Sequence, residues 1–140
     1  MKVLVKKYYT EKQFTCLKCD VESFLEGEAG SGLLNIYTKH TTCAIKIIEN
    51  ELLLLADINN YLDAAFPKDG NYMHDRIEIR DVPVDERING YSHMRQLFLS
   101  TSETIPVIKG APQIGKWQTP FLIELDPARE REVVFSFVST

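Results

Sequence analysis

The chain holds three histidines, His40, His74 and His93, spaced 34 and 19 residues apart. Imidazole changes charge near neutral pH, so three of them can serve as metal ligands, as proton carriers or as hydrogen-bonded structural residues. No H-x-H or H-E-x-x-H pair occurs, so local geometry holds no two of them together. One site requires the fold to gather three separate segments. Three neutral imidazoles so gathered can hold Zn²⁺ or a similar divalent cation, with a position open for water or substrate. Such an ion lowers the pKa of its water toward about 7 or polarises a phosphoryl oxygen. Asp75, next to His74, and Asp85 are candidate acceptors for an imidazole N–H. A helix starting at Asn89 to Tyr91 puts His93 in its first turn, where the positive helix end disfavours imidazolium and attracts anions. Arg87 and Arg95 stand close enough in sequence to pair with a phosphate there. The bland alternatives are a strand-end His40, a solvated loop His74 and a helix-flank His93.

The elements that must position these residues read as follows. Val3 to Tyr9 is rich in β-branched and aromatic residues and predicts a strand, with Phe14 to Cys19 as its hairpin partner. Asp20 is a good cap for a short helix carrying Val21, Phe24 and Leu25. Leu33–Lys39 and Cys43–Glu49 predict two strands, with His40 at the turn of a tight hairpin. Asn50 caps a longer helix whose buried stripe is Leu54, Leu55, Ile58, Leu62 and Ala65. Lys68 to Ile88 is a long loop with a brief strand at Arg76–Ile79, and long loops in compact domains are often functional. A short helix over Tyr91–Leu99 turns Tyr91, Met94, Leu97 and Phe98 inward. Strands at Glu103–Ile108, Trp117–Leu125 and Glu132–Val138 finish the chain, with Trp117 packed in the core. This β2-α-β2-α-β3 order predicts an α+β fold: a two-layered, mostly antiparallel β-sandwich with helices.

The bulk properties fit one soluble domain spanning 1–140. With 44 % hydrophobic and 26 % charged residues the chain can bury a core. The longest strongly apolar run, Leu52 to Ala56, is too short to span a bilayer, and no signal-type block opens the chain. The expected location is cytoplasmic. Net charge is −4 with both signs dispersed, so no basic stripe points to nucleic acid or to a membrane surface. Cys16, Cys19 and Cys43 leave an odd thiol, which argues against a disulfide framework. If Cys16–Cys19 is extended, its two thiols face opposite sides, and all three cysteines read as small apolar fillers.

Six short motifs occur in one order: H-T-T-C-A from His40, E-N at Glu49–Asn50, Y-M-H-D at Tyr72–Asp75, N-G-Y-S-H-M at Asn89–Met94, I-P-V at Ile105–Val107 and G-K-W-Q at Gly115–Gln118. On these, the chain from about Gly32 to Ser139 resembles the YjbQ-like family, known for weak thiamine-phosphate synthase activity. The resemblance implies a two-sheet α+β fold that assembles as a homotrimer around a threefold axis. It implies that His40, His74 and His93 are the family's three site histidines. The candidate catalytic residues are therefore His40, His74, His93, Glu49 and Asp75. Arg87 and Arg95 are the candidate phosphate-binding residues, and the three histidines are candidate ligands for a divalent metal, Zn²⁺ first. Glu49 ends the second hairpin strand, about 20 Å from the turn at 3.3 Å per residue, so it can join His40 only across a subunit boundary. The expected function is a small enzyme acting on a phosphorylated small molecule, with thiamine-phosphate formation as its named chemistry. The alternatives are a non-catalytic metal- or ligand-binding trimer and a thiol redox protein using Cys16 and Cys19.

Overall fold

The computed structural model describes residues 1–140. In chain order the elements are β1 (Lys2–Tyr9), β2 (Phe14–Cys16), α1 (Lys18–Leu25), β3 (Gly32–Thr38), β4 (Cys43–Ile48), α2 (Leu52–Ala65), α3 (Gly90–Leu97), β5 (Ser102–Ile108), β6 (Ala111–Pro112), β7 (Thr119–Glu124) and β8 (Glu130–Ser139). Two single 3-10 turns, Met73–Asp75 and Ile77–Ile79, lie in the long segment before α3. The strands form two antiparallel sheets, β1-β8-β3-β5-β6 and β2-β7-β4. The predicted α+β class with two antiparallel layers is what the chain adopts.

Alternation places the core. Leu34 and Ile36 of β3, Ile105 and Val107 of β5, and Val133, Phe135 and Phe137 of β8 face Ile45 of β4 and Leu122 of β7. Full burial of such a side chain contributes on the order of 1.5–3 kcal/mol relative to exposure. Helix α1 adds Val21, Phe24 and Leu25 to this core. On the far face of the smaller sheet, Phe121 and Ile123 pack with Leu55, Ile58 and Leu62 of α2. Strand β7 is thus covered on both faces and all six of its residues are buried.

Several local expectations give way to this sandwich. Strands β1 and β2 do not pair: β1 pairs with β8, while β2 pairs with β7 in the other sheet. Strands β3 and β4 likewise form no hairpin, because β3 lies between β5 and β8 and β4 lies beside β7. In both cases the consecutive strands cross between layers to bury apolar faces against each other. Arg76–Ile79 finds no partner strand and coils into a 3-10 turn. Glu51, not Asn50, caps α2, its carboxylate accepting from the amides of Leu53 at 3.0 Å and Leu54 at 2.6 Å. Along α2 only Leu62 is fully buried, and Ala65 is exposed. Buried Leu17 takes the cap position of α1, and Asp20 falls in the first turn and pairs with Lys6.

Helix α3 turns a polar face inward. Of the predicted set only Tyr91 is buried, whereas Leu97 and Phe98 are 69 % and 67 % exposed. Ser92 and Arg95 are buried in their place, because each meets a backbone carbonyl: Ser92 Oγ that of Leu125 at 2.7 Å, Arg95 Nε that of Phe66 at 3.0 Å. Trp117 is 64 % exposed, in a turn outside the core, with the Lys116 ammonium over its ring. Cys43 alone is a buried filler; Cys16 and Cys19 are exposed.

The outer face of the larger sheet carries no helix and is partly apolar. Register sets Val5, Val134 and Tyr37 in one row and Val138, Leu33 and Pro106 in another, with Ser136, Asn35 and Thr104 between. No helix of the fold is long and apolar enough to cross a membrane.

Candidate functional site

At one end of the sandwich the inward side chains change from apolar to charged. The β8 series Phe137, Phe135, Val133 continues to Arg131, and the β7 series from Leu122 continues to Glu124; both charged residues are buried between the sheets. Arg131 Nε donates to Glu124 Oε2 at 2.8 Å, and Arg131 Nη2 donates to Thr42 Oγ1 at 2.8 Å. Thr10 Oγ1 also donates to this carboxylate. Burial opposes the charge on Arg131, but the Glu124 hydrogen bonds and neighbouring negative groups more than offset it, and the guanidinium pKa ends above its ordinary value. This pair fastens the 39–42 segment, which carries the chain from β3 in one sheet to β4 in the other.

His40 sits on that segment. The amide N–H of Glu132 donates to His40 Nε2 at 3.0 Å, so in the neutral ring Nδ1 carries the proton. Burial lowers the His40 pKa below its ordinary value, and the Arg131 charge lowers it further; Glu132 and Glu124 oppose the shift in part.

His74 and His93 meet because the Tyr72–Asp75 segment packs directly on the start of α3. A Cβ on Gly90 would stand 2.6 Å from Tyr72 Cβ, so only glycine permits this approach. Asp75 Oδ1 accepts the Gly90 amide at 2.7 Å. The two imidazole centroids lie 4.5 Å apart with their planes 60° from parallel. Burial lowers the His93 pKa, followed by proximity to His74 and Arg80, against Asp126 and Asp75. One of the N–H groups at the anion-attracting start of α3, that of Gly90, is thus taken by Asp75.

All three histidines line one cleft of about 460 Å³. Its other walls are Lys39, Arg80, Arg87, Arg129 and Arg131, with Glu86, Asn89, Thr41 and Thr42 and no apolar side chain. Three cations close on carboxylates: Lys39 on Glu132 at 2.7 Å, Arg129 on Asp126 at 2.6 Å, and Arg131 on Glu124. Arg87 reaches Asp126 only loosely, at 3.7 Å, and Arg80 donates to the His74 carbonyl at 2.7 Å and to no carboxylate. The charge left for a ligand is therefore on Arg80 and Arg87.

The structure brings together His40, His74, His93 and Arg87 from the sequence candidates, with Asp75 behind them. Three others lie elsewhere. Glu49 is exposed just past the far end of β4, and Asp85 is exposed on its loop. Arg95 points away from the cleft: its guanidinium pairs with Asp63 at 2.7 Å and lies over the Tyr91 ring, beside a separate polar cavity. The sequence reading missed Arg80, Glu86, Arg129 and Arg131. Arg131 had a signal, since it continues the inward parity of Val133, Phe135 and Phe137 and an inward charge demands a partner.

A three-histidine ion site does not fit this geometry. No three His, Cys, Asp or Glu side chains stand together as ligands, and His40 Nε2 is occupied by the Glu132 amide. A metal cation would also sit among four guanidiniums.

The lowered pKa values fix a sign. A histidine held neutral in the fold takes up its proton more readily when unfolded, so its contribution to stability is complete above the ordinary value of 6.5 and is lost as pH falls below it. The His40 and His93 rings should be neutral at pH 7 and titrate below pH 6.5 in an NMR titration of the ring protons. Midpoints at or above 6.5 for both rings would contradict this electrostatic account.

The family model described as UPF0047 protein YjbQ-like matches residues 4–140. A UPF0047 protein of Methanothermobacter thermautotrophicus is 38 % identical over 119 residues, covering 81 % of this chain and 77 % of that one. The crystal structure of a hypothetical protein from Aeropyrum pernix superposes with a TM-score of 0.88 at 26 % identity, covering 100 % of both chains. That of a protein of unknown function from Sulfolobus solfataricus gives 0.82 at 27 % identity, covering 99 % of both. With a family match over nearly its whole length, this chain belongs to the YjbQ-like UPF0047 family.

Proposed function

We propose that this chain is an enzyme acting on a phosphorylated small molecule, with the phosphate held by Arg80 and Arg87 and protons handled by the histidines. The observation that carries the reading is the convergence of three histidines and two guanidiniums free of tight ion pairs on one cleft without apolar lining. Guanidinium groups match phosphate oxygens in geometry and charge. His40, anchored through Nε2, offers Nδ1–H to a phosphoryl oxygen. His93, held neutral at pH 7, accepts a proton, with His74 beside it. Asp75 is a positioning residue through Gly90. Glu49 and Arg95 have no part in this reading. The thiamine-phosphate chemistry implied by resemblance belongs to the same class: an aminopyrimidine diphosphate and a thiazole phosphate join with release of diphosphate.

The test is turnover followed by phosphorus NMR with that substrate pair and with a panel of phosphate esters. Parent protein should turn over at least one member, and His93→Asn should lower that rate by at least about 100-fold while the melting temperature stays close to parent. No turnover of any member, or an unchanged rate in His93→Asn, would reduce the cleft to a binding site.

We also propose that the chain works as a homotrimer. The supporting observation is the uncovered outer sheet face, where Val3, Val5, Leu33, Ile108 and Val138 are each roughly half exposed. Light scattering should give three times the 16.0 kDa chain mass. A stable monomer at low micromolar concentration would contradict it.

A further inference from the structure

We infer that the ligand of this cleft is a sugar or polyol phosphate, not a phosphorylated aromatic ring, and that Glu86 reads a hydroxyl beside the phosphate. The inference rests on the phosphate reading above and narrows it to the phosphate esters of that panel, away from the thiamine-phosphate pair, whose two rings are aromatic. A cleft of about 460 Å³ is roomier than one phosphate needs and lies within the usual range for small-molecule sites. Such sites are ordinarily lined mostly by apolar and aromatic side chains, and this one has none. An aromatic ring would displace water from charged groups without burying apolar surface against anything. The most enclosed planar groups offer no open stacking face. Arg131 is only 2 % exposed, and the imidazoles of His74 and His93 lie against each other at 4.5 Å.

Glu86 is the one carboxylate on a wall otherwise cationic or neutral. Its Oε1 accepts the backbone amide of Arg87 at 3.0 Å, which ties the carboxylate to the residue that carries a phosphate-binding guanidinium. A carboxylate there repels a bare phosphate. It accepts hydrogen bonds well from a hydroxyl, and Thr41 adds a further polar partner on the same cleft. Glu86 therefore separates ligands by what adjoins the phosphate, which makes it a specificity-determining residue.

The sign of its effect tests this. Calorimetric titration would compare inorganic phosphate, ribose 5-phosphate and phenyl phosphate on the parent, on Glu86→Gln and on Arg80→Gln. Ribose 5-phosphate should bind the parent at least tenfold tighter than inorganic phosphate, and phenyl phosphate no tighter than inorganic phosphate. Glu86→Gln should weaken ribose 5-phosphate at least fivefold and at the same time strengthen inorganic phosphate. A purely structural Glu86 would move both ligands in one direction, and that result, or preferred binding of phenyl phosphate, overturns the inference. If inorganic phosphate still binds in an Arg80-dependent way, the phosphate reading survives that loss. If no phosphate compound binds the parent, both fall together.

Discussion

The contact between Arg131 and Glu124 is the constraint on which the cleft depends. Each side chain occupies a position that its strand's alternation assigns to the core, so each charge is buried where only the other can neutralise it. Removing one partner from such a pair typically costs about 3–5 kcal/mol, because the remaining charge is left uncompensated. The pair stands between the sheets, one member on each, and its remaining hydrogen bonds go to Thr10, Thr42 and the amides of Leu125 and Asp126. Four segments from opposite ends of the sequence are thereby fixed at one end of the sandwich.

The site grows outward from that clamp by short steps along the chain. Thr42 is two residues from His40, and Glu132, next to Arg131, supplies the amide that orients the His40 ring. Asp126, two residues beyond Glu124, accepts from Asn89 at 2.9 Å and from Arg129 at 2.6 Å, which sets the start of α3. Gly90 then admits the Tyr72–Asp75 segment, and His74 comes to rest against His93. The same scaffold sets the electrostatics. Its acids are largely matched by Lys39, Arg129 and Arg131, the imidazoles of His40 and His93 are pushed toward neutrality, and Arg80 and Arg87 keep the charge that a phosphate can use.

The meeting of the three histidines was legible only through their surrounding motifs, since their spacing alone permits three unrelated structural roles. Strand and helix existence followed from alternation and from the α2 apolar stripe. Pairing did not. Two adjacent β-prone runs look like a hairpin, yet β3 and β4 gain more by crossing between layers, where both bury an apolar face. Arg95 illustrates a second limit: nearness in sequence to His93 put it with the phosphate, but two residues along a helix point it to the opposite side, onto Asp63 and Phe66. Trp117 shows the converse, because its residue type predicts burial while its turn holds it outside both sheets. Arg131 and Glu124 were readable in principle as two inward charges of opposite sign on strands of the same end.

The most direct test of the central claim is a crystal structure of the protein soaked with tungstate, a phosphate mimic whose metal scatters anomalously. The account predicts one strong anomalous peak in the cleft, with oxygens within about 3.2 Å of the guanidiniums of Arg80 and Arg87. A peak at another surface with the cleft empty, or an ion bonded directly to the three histidines in place of the anion, would contradict it.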